Sequence, residues 1–399
     1  MEIELTSEQK KVKDSLVEWF NYSSNEPMVI SGYAGTGKTS LAIAFRNELK
    51  LQRRNKNIHV SFMALTSKAA SVMARKLGGI HRLDTCGTIH KFMYEPIFEI
   101  SPKGIKIISG WRLRDIDHIL SDLIIIDEGS MVSKKIWNDL LELRIPIVVF
   151  GDNEQLPPIG DEFDILQKPN FQLTEIHRQA KDNPIIKASM MVRLENKFPS
   201  TTDNHEIVVA DWNDPNFQRF YQNISWNDNM INLCATNRIR TSINKMIRDR
   251  CEYDSDIQYP NERVVCLRNN YDTKFMNGEI FTIRWIMPTS DSKVMRMDLE
   301  NSNGDILTTS VHSCCFNSMN PSEPMYEEME KRKRKREPFE IDFFDYGYCI
   351  SVHKSQGSEW DKVCLFNEQV SRWSDDLKRR WLYTGITRAK NKLILVTGL

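Results

Sequence analysis

The stretch that most constrains this chain is residues 32–40, which read GYAGTGKTS and fit the phosphate-loop pattern G-x-x-x-x-G-K-[ST]. Residues 28–30 are apolar and suit a buried strand, and residues 41–45 begin a helical pattern. Glycines let backbone N–H groups face an anion closely, and the positive end of the following helix points to the same place. The pattern predicts a strand, a loop and a helix that bind a nucleoside triphosphate. The alternative is a glycine-rich turn that matches by chance.

The polar residues of the loop have separate predicted uses. Lys38 would reach the β- and γ-phosphates of ATP, and the Thr39 hydroxyl would bind Mg²⁺. The residues that we expect to contact the nucleotide are Gly35, Thr36, Gly37, Lys38, Thr39 and Ser40.

Two carboxylates follow a second apolar run. Residues 123–126 read Leu-Ile-Ile-Ile and deliver Asp127 and Glu128 to the carboxyl end of a predicted strand. Asp127 is placed to hold Mg²⁺, directly or through water, and Glu128 to orient and deprotonate the water that attacks the γ-phosphate. Together with Lys38 and Thr39, the pair predicts a phosphoryl-transfer site.

Two further residues are candidates for the same chemistry. The apolar run at 145–150 leads to Gln155, whose amide is placed to contact both the γ-phosphate and the attacking water. Arg178 is an arginine of the kind that stabilises charge on a transferring phosphoryl group.

Several polar positions near these strands have two interpretations. Gln9 either reads the adenine edge or is a solvated helix residue. Thr66, Ser67 and Lys68 follow the predicted strand at 59–65 and should line the same face as the loop, although Thr66 or Ser67 could simply cap a helix. His90 follows a glycine-containing loop, and a lone histidine is usually structural.

Length and composition leave the substrate open. A chain of 399 residues predicts two to four domains, and its 54 basic and 54 acidic residues give a net charge that neither demands nor excludes nucleic acid. The eight cysteines have no regular spacing and are expected to be reduced thiols of a cytosolic-type compartment, with adjacent Cys314 and Cys315 in a strand. No run reaches the roughly 18 apolar residues of a membrane span, so no membrane partner is expected.

A predicted β-hairpin interrupts the alternation of strands and helices. Residues 97–100 and 105–108 are short apolar runs around a Pro/Gly turn. The hairpin is either a mere insertion or, in a nucleic-acid motor, the wedge that splits a duplex. Phe98 could stack on a base there, or could pack within the hairpin.

The region 251–345 predicts a small β-barrel, with turn signals at Asn277-Gly278 and Asn303-Gly304. Its clearest strands are 263–267, 279–283 and 294–299. The basic run 331–336 is interpreted as a solvated charged helix with acidic-to-basic i,i+4 pairs, in preference to a nuclear-localisation signal.

The motifs in their order resemble those of superfamily 1 helicases, in the RecD-like (1B) branch typified by the Dda-like helicases of tailed phages. Several blocks in this order are far more specific than a phosphate loop alone, and they span nearly the whole chain. The blocks are SGYAGTGKTS, ALTSKAA, TIH, IIIDEGSM, GDNEQLPPIG, LTEIHRQ, CATNR, ISVHKSQGSEWD and LYTGITRAK.

The resemblance implies an α/β fold of two RecA-like P-loop lobes with ATP between them. A β-hairpin would be inserted in the first lobe and a small SH3-like β-barrel in the second. The implied boundaries are 1–90 and 113–177 for the first lobe, 91–112 for the hairpin, 178–250 and 346–399 for the second lobe, and 251–345 for the barrel insertion.

The resemblance also implies an activity, namely an ATP-dependent DNA helicase or translocase that moves 5′→3′ along single-stranded DNA. Its partners would be single-stranded DNA and junctions of single- and double-stranded DNA, with replication or single-strand-binding proteins as possible partners. The protein would be a monomer of a bacterial or phage-infected cytosol. The alternatives are an RNA-directed helicase of the same superfamily and a nucleic-acid-binding scaffold that does not unwind.

Further site residues come from the resemblance alone. Arg388 would stabilise the transition state from the second lobe, and Gly357 and Glu359 would contact the nucleotide, Glu359 at the ribose. The resemblance implies that the single strand is contacted by Thr66, Ser67, Lys68, His90, Asn237, Arg238 and His353, and Phe98 is the hairpin candidate for base stacking named above.

One departure from the family pattern lies beside the catalytic carboxylates. Gly129 stands where relatives commonly have Ala or Val, and we expect the glycine to loosen the local packing.

Overall fold

The computed structural model describes residues 4–22, 26–52, 57–78, 83–100, 106–158, 163–176, 182–224, 230–254, 257–270, 273, 275–335, 341–368 and 370–399. The chain forms two compact units. The first unit contains Met1–Glu95, Arg112–Phe198 and Ser374–Thr387, and the second contains Pro96–Trp111, Pro199–Trp373 and Arg388–Leu399.

The strands and helices are numbered in chain order. The strands are β1 (Met28–Gly32), β2 (Val60–Ala64), β3 (Thr85–Thr88), β4 (Tyr94–Ile100), β5 (Lys106–Leu113), β6 (Leu123–Ile126), β7 (Ile147–Gly151), β8 (Phe171–Leu173), β9 (Ile207–Asp211), β10 (Met230–Cys234), β11 (Arg263–Cys266), β12 (Ile280–Pro288), β13 (Val294–Glu300), β14 (Ile306–His312), β15 (Ile341–Tyr346), β16 (Cys349–Ser351), β17 (Trp360–Phe366) and β18 (Ala389–Thr397). The α-helices are α1 (Ser7–Asn21), α2 (Lys38–Leu51), α3 (Ser67–Lys76), α4 (Ile89–Met93), α5 (Lys134–Glu142), α6 (Pro184–Met190), α7 (Pro215–Asn223), α8 (Asn237–Arg250), α9 (Ser322–Lys335), α10 (Val352–Ser355) and α11 (Asp375–Ile386).

The first unit is built on a six-stranded parallel sheet in the order β3-β2-β6-β7-β1-β8. Strands β2, β6 and β7 are buried at every position, because helices cover both faces of a parallel sheet. The order places β7 between β6 and β1, so the carboxyl ends that carry Asp127, Gln155 and the glycine-rich loop meet at one edge.

The second unit combines a parallel sheet with a closed barrel. The sheet has five strands in the order β16-β10-β17-β18-β9, and the barrel is formed by β11 to β15. Phe275, Phe281 and Phe344 pack edge to face inside the barrel. The predicted barrel is confirmed, and both predicted turn glycines, Gly278 and Gly304, have positive φ angles of 83° and 86°.

Strands β4 and β5 form a separate two-stranded sheet, as the hairpin prediction requires. The basic run lies at the end of α9, and Arg336 lies outside the described residues. Arg332 Nε is 2.8 Å from a carboxylate oxygen of Glu328, which confirms the predicted i,i+4 pairing. The prediction for Cys314 and Cys315 was wrong, because both lie in a short 3₁₀ helix, Ser313–Cys315.

All eight cysteines are free thiols. Across the described parts of the chain, no helix has the length and apolar character needed to cross a membrane.

Candidate nucleotide site and nucleic-acid contacts

The glycine-rich loop joins β1 to α2 in a backbone conformation that requires glycine. Gly35 and Gly37 have φ angles of 81° and 74°, and a Cβ on Gly32 would lie 2.7 Å from the Thr36 hydroxyl oxygen. Gly37 immediately precedes α2, and no side chain caps the helix there. The first N–H groups of α2, which have no partner inside the helix, therefore face a loop that can hold an anion.

Lys38 and Thr39 extend from the first turn of α2. The Lys38 ammonium donates to the carbonyl oxygens of Gly32 at 2.7 Å and Tyr33 at 3.1 Å, so the side chain folds back over the loop. The Thr39 hydroxyl donates to Asp127 Oδ2 at 3.1 Å. This pair of a hydroxyl and a carboxylate oxygen suits Mg²⁺, which prefers hard oxygen ligands.

Glu128 follows Asp127 in a strained conformation. Its φ angle of 57° is unusual for a residue with a side chain, and such strain is often found at functional sites. The next residue corrects our expectation: a Cβ on Gly129 would lie 2.4 Å from Val149 Cγ1 and 3.2 Å from the Phe150 carbonyl oxygen. Gly129 does not loosen the packing but permits a close approach of β7.

Gln155 lies in the loop after β7, and it is buried. Its backbone N–H donates to the Asp152 carbonyl oxygen at 3.1 Å, whereas its side-chain oxygen Oε1 has no hydrogen-bond partner among the described residues. A buried polar atom without a partner is costly, and its presence at a strand end beside the loop fits a site that is completed by a ligand.

Helix α11 brings a tyrosine to this loop. The Tyr383 hydroxyl donates to Asp152 Oδ2 at 2.6 Å and accepts from the Ala34 N–H at 3.0 Å. The Leu156 N–H donates to the Thr384 hydroxyl oxygen at 3.0 Å. Burial, together with the nearby Asp152 carboxylate, raises the pKa of Tyr383, which keeps the phenol protonated as a donor.

Gln9 is neither solvated nor exposed. Its side chain is 1% exposed, and its amide group donates to the Thr36 carbonyl oxygen at 2.8 Å. Its side-chain oxygen accepts from the Thr6 N–H at 2.9 Å in a capping box at the start of α1. The solvated interpretation was wrong, and Gln9 connects α1 to the phosphate loop; a contact with adenine stays a prediction.

Four candidate DNA contacts of the first unit lie in the segments that follow β2 and β3. The Thr66 side chain caps α3 by accepting from the Ala69 N–H, Ser67 and Lys68 begin that helix, and His90 lies in α4. Burial, with a smaller effect of Lys135, lowers the pKa of His90, so its imidazole offers hydrogen bonds rather than charge at neutral pH. The side chains of Ser67 and Phe98 lie outside the described part of the chain.

The second unit carries the remaining candidates. Asn237 and Arg238 are exposed at the start of α8, and His353 lies in α10, where burial lowers its pKa. Gly357 has a φ angle of 72°. Glu359 is largely exposed, 3.7 Å from the Lys390 ammonium.

Arg388 immediately precedes β18, and its guanidinium is buried. Nη1 donates to the Ser358 carbonyl oxygen at 3.2 Å. Arg178 lies outside the described residues. The structure therefore brings Lys38, Thr39, Asp127, Glu128 and Gln155 to one edge of one sheet and describes Arg388 within the second unit.

Two family models match the chain. The model of the AAA domain matches residues 4–207, just over half of the chain, and that of the UvrD-like helicase C-terminal domain matches residues 346–396. The chain belongs to the AAA domain family. The second match and the following relatives are helicases to which the chain is similar.

Two named relatives are similar to most of this chain. The ATP-dependent RecD2 DNA helicase of Deinococcus radiodurans is 23% identical over 413 residues, which cover 97% of this chain and 48% of the relative. The RecD subunit of the RecBCD enzyme from Buchnera aphidicola is 21% identical, with 92% of this chain and 70% of the relative covered. The chain thus spans about half the length of the Deinococcus relative.

Solved structures show the same fold. The Pif1 helicase from Bacteroides in complex with ADP-AlF3 and ssDNA has a TM-score of 0.56 at 16% identity, covering 100% of this chain and 94% of that one. The Pif1 helicase from Candida albicans has a TM-score of 0.54 at 16% identity, covering 99% and 95%. The predicted fold class, parallel RecA-like sheets with a small barrel, is confirmed.

Sequence reasoning missed the contacts that α11 makes with the loop. Asp152, Tyr383 and Thr384 all lie inside quoted motif blocks, GDNEQLPPIG and LYTGITRAK, so a signal was present. Their partners are more than 200 positions away in the chain, and no local pattern pairs them.

Proposed function

We propose that this protein is an ATP-driven DNA helicase or translocase that moves along single-stranded DNA. The observation that carries the proposal is the site at the carboxyl edge of the first sheet. There an uncapped helix N-terminus and Lys38 adjoin the Thr39–Asp127 pair and the unpaired oxygen of Gln155. The names of the related helicases support DNA as the track.

The chain's own groups have distinct tasks in hydrolysis. The N–H groups of α2 and the Lys38 ammonium bind the β- and γ-phosphates, and Thr39 with Asp127 holds Mg²⁺. When bound, Mg²⁺ neutralises negative charge on the phosphate oxygens. Glu128 accepts the proton of the attacking water, and Gln155 orients that water through its side-chain oxygen.

Two arginines complete the proposed chemistry. Arg178 and Arg388 stabilise the charge that develops on the transferring phosphoryl group, as the resemblance implies. A cycle of closure and opening around the nucleotide would then move the protein along the strand.

The proposed track uses contacts that position the strand without reading its sequence. Thr66, Ser67, Lys68, His90, Asn237, Arg238 and His353 are suited to phosphate and sugar contacts, and such binding is salt-sensitive. Phe98 on the hairpin would stack on a base, and travel would be 5′→3′, in keeping with the RecD-like branch.

The decisive experiment measures ATP hydrolysis with and without single-stranded DNA. Lys38→Ala and Glu128→Gln should each lower the stimulated rate by at least about 100-fold, because each removes a group that acts on the transferring phosphate. Lys245→Ala is the matched control, since Lys245 is an exposed lysine paired with Asp249 on α8. Full activity in either site variant would refute the assignment.

Two substrate comparisons test the direction of travel and the choice between DNA and RNA. Duplexes with a 5′ or a 3′ single-stranded tail distinguish direction, and unwinding of only the 3′-tailed substrate would overturn the 5′→3′ proposal. Stimulation of ATP hydrolysis by RNA but not by DNA would favour an RNA-directed enzyme instead.

A further inference from the structure

Arg193 is a half-buried cation beside the phosphate loop, and the proposed hydrolysis does not use it. It lies in a π-helical turn, Met191–Glu195, that continues α6 and packs against α11. A π-helical turn is rare and is often found at functional sites, because it redirects side chains relative to the helix before it.

The guanidinium of Arg193 lies flat on a loop residue. Its central carbon is 3.2 Å from the centre of the Tyr33 ring, and Tyr33 is the second residue of the glycine-rich loop. The Tyr33 hydroxyl in turn accepts from Gln172 Nε2 at 2.5 Å, on the edge strand β8. The ring is therefore anchored at its far end, and its face fixes the plane of the guanidinium.

Two donors of this guanidinium have no partner. Nε and Nη1 are buried, and neither makes a hydrogen bond with any described residue. Stacking on a ring satisfies the charge of an arginine but not its N–H groups, which point outward in the plane. Leaving two charged donors buried and unpaired is costly unless a ligand accepts from them.

The π-helical turn that carries Arg193 packs against α11, and Tyr383 of α11 contacts the phosphate loop at Ala34. The Arg193 charge is close enough to the Tyr383 phenol to oppose the rise in its pKa that burial and Asp152 cause. That hydroxyl is bonded to the Ala34 N–H and to Asp152 at the start of the loop that contains Gln155. Arg193 therefore lies beside Tyr33 and next to the helix whose Tyr383 joins the phosphate loop to Asp152.

We propose that Arg193, oriented by Tyr33, binds the terminal phosphate of the nucleoside triphosphate and so distinguishes triphosphate from diphosphate. The inference rests on the proposed ATP site and names a phosphate-binding residue for it. Guanidinium donors in a fixed plane match phosphate oxygens well, and both donors gain partners only when the terminal phosphate is present.

Equilibrium binding of a non-hydrolysable ATP analogue and of ADP, both with Mg²⁺ and without DNA, tests the proposal. Arg193→Gln should weaken binding of the triphosphate analogue by at least about tenfold and leave ADP binding within about twofold. Arg193→Lys should lie between this variant and the unsubstituted protein, because a lysine keeps the charge but not the planar donors. Arg219→Gln, an exposed arginine on α7, should change neither affinity.

A second variant keeps the test valid if Arg193→Gln does not fold. Tyr33→Leu removes the ring that orients the guanidinium and leaves Arg193 in place, so it should weaken the triphosphate selectively as well. Equal losses for both nucleotides, or no loss for either, would overturn the proposal and assign Arg193 a packing role. Failure of the unsubstituted protein to bind either nucleotide would instead contradict the ATP site itself, as would retained binding in Lys38→Ala.

Discussion

The two parallel sheets each contain a strand that leads directly into a long helix, and the two junctions are built in opposite ways. In the first unit, β1 leads to α2 through a glycine-rich loop that leaves the helix N-terminus uncapped. In the second, β10 leads to α8, whose N-terminus is capped by Thr236. The carboxylate of Glu368 accepts from the N–H groups of Ala235 at 2.8 Å and Thr236 at 3.1 Å and from the Thr236 hydroxyl.

The same unit, a strand followed by a long helix, serves two purposes in this protein. An uncapped helix N-terminus attracts an anion through its free N–H groups and dipole. In the second unit the Thr236 side chain accepts from the Ile239 N–H, and Glu368 binds the two residues just before the helix, so the junction is closed and structural. In the first unit no side chain among the described residues caps α2, and its N-terminus is left for phosphate.

Removal of the Glu368 carboxylate should produce the largest loss of stability. Glu368→Ala leaves three half-buried donors without their acceptor and should lower the free energy of unfolding of the second unit by about 3 kcal/mol. Urea denaturation followed by circular dichroism measures the change. A loss below about 0.5 kcal/mol would show that water replaces the carboxylate and that the closed junction is not structural.

The junction between β1 and α2 should instead be stabilised by a bound nucleotide. An ATP analogue with Mg²⁺, at about 100 times its dissociation constant, should raise the stability of the first unit by about 2.7 kcal/mol. Differential scanning fluorimetry should show this as a rise in melting temperature that Glu368→Gln retains and Lys38→Ala abolishes. An equal rise in the Lys38→Ala variant would place the nucleotide elsewhere.

A methyl group at Gly37, immediately before α2, should change the free energy of unfolding by a smaller amount. Gly37→Ala forces a residue with a side chain into a φ angle of 74° and should destabilise the first unit by about 1–2 kcal/mol. Gly87→Ala is the matched control, because a Cβ there meets nothing within 4 Å. If the two variants had equal stability, the loop would have an alternative conformation that needs no glycine.

The smallest loss of stability is expected when Thr236, which caps α8, is substituted. Thr236→Ala removes the side chain that accepts from the Ile239 N–H and should lower stability by about 1 kcal/mol, with Thr236→Ser retaining most of it. Denaturant midpoints of the two variants and the unsubstituted protein provide the comparison. Equal losses in both variants would show that the methyl group of Thr236, and not its hydroxyl, stabilises the junction.

Most of the fold could be predicted from local patterns. The apolar runs that became β1 and β6 are short and are followed by glycine or by acidic residues, and the barrel strands alternate between turn signals such as Asn277-Gly278. Part of the candidate site was also predictable, because Lys38, Asp127 and Gln155 each follow such a strand, and strand ends in a parallel sheet meet at one edge.

The contacts that the sequence did not reveal are those between distant segments. Gln9 is bound to the Thr36 carbonyl rather than to solvent, and Gly129 admits β7 where we expected looser packing. The segment Ser374–Thr387, which we had assigned to the second lobe, groups with the first unit and brings Tyr383 to the Ala34 N–H.

The sequence by itself determined that this chain carries a phosphate loop, a pair of carboxylates after a buried strand and a set of helicase motifs. It could do so because these features depend on residue types at fixed short spacings. Only the tertiary structure decided which helix N-terminus is open to a ligand and which is closed by Thr236 and Glu368. It also decided that Arg193 lies over Tyr33 with two donors that have no partner among the described residues. Such pairings depend on where the folded backbone brings distant side chains, and residue spacing carries no information on that.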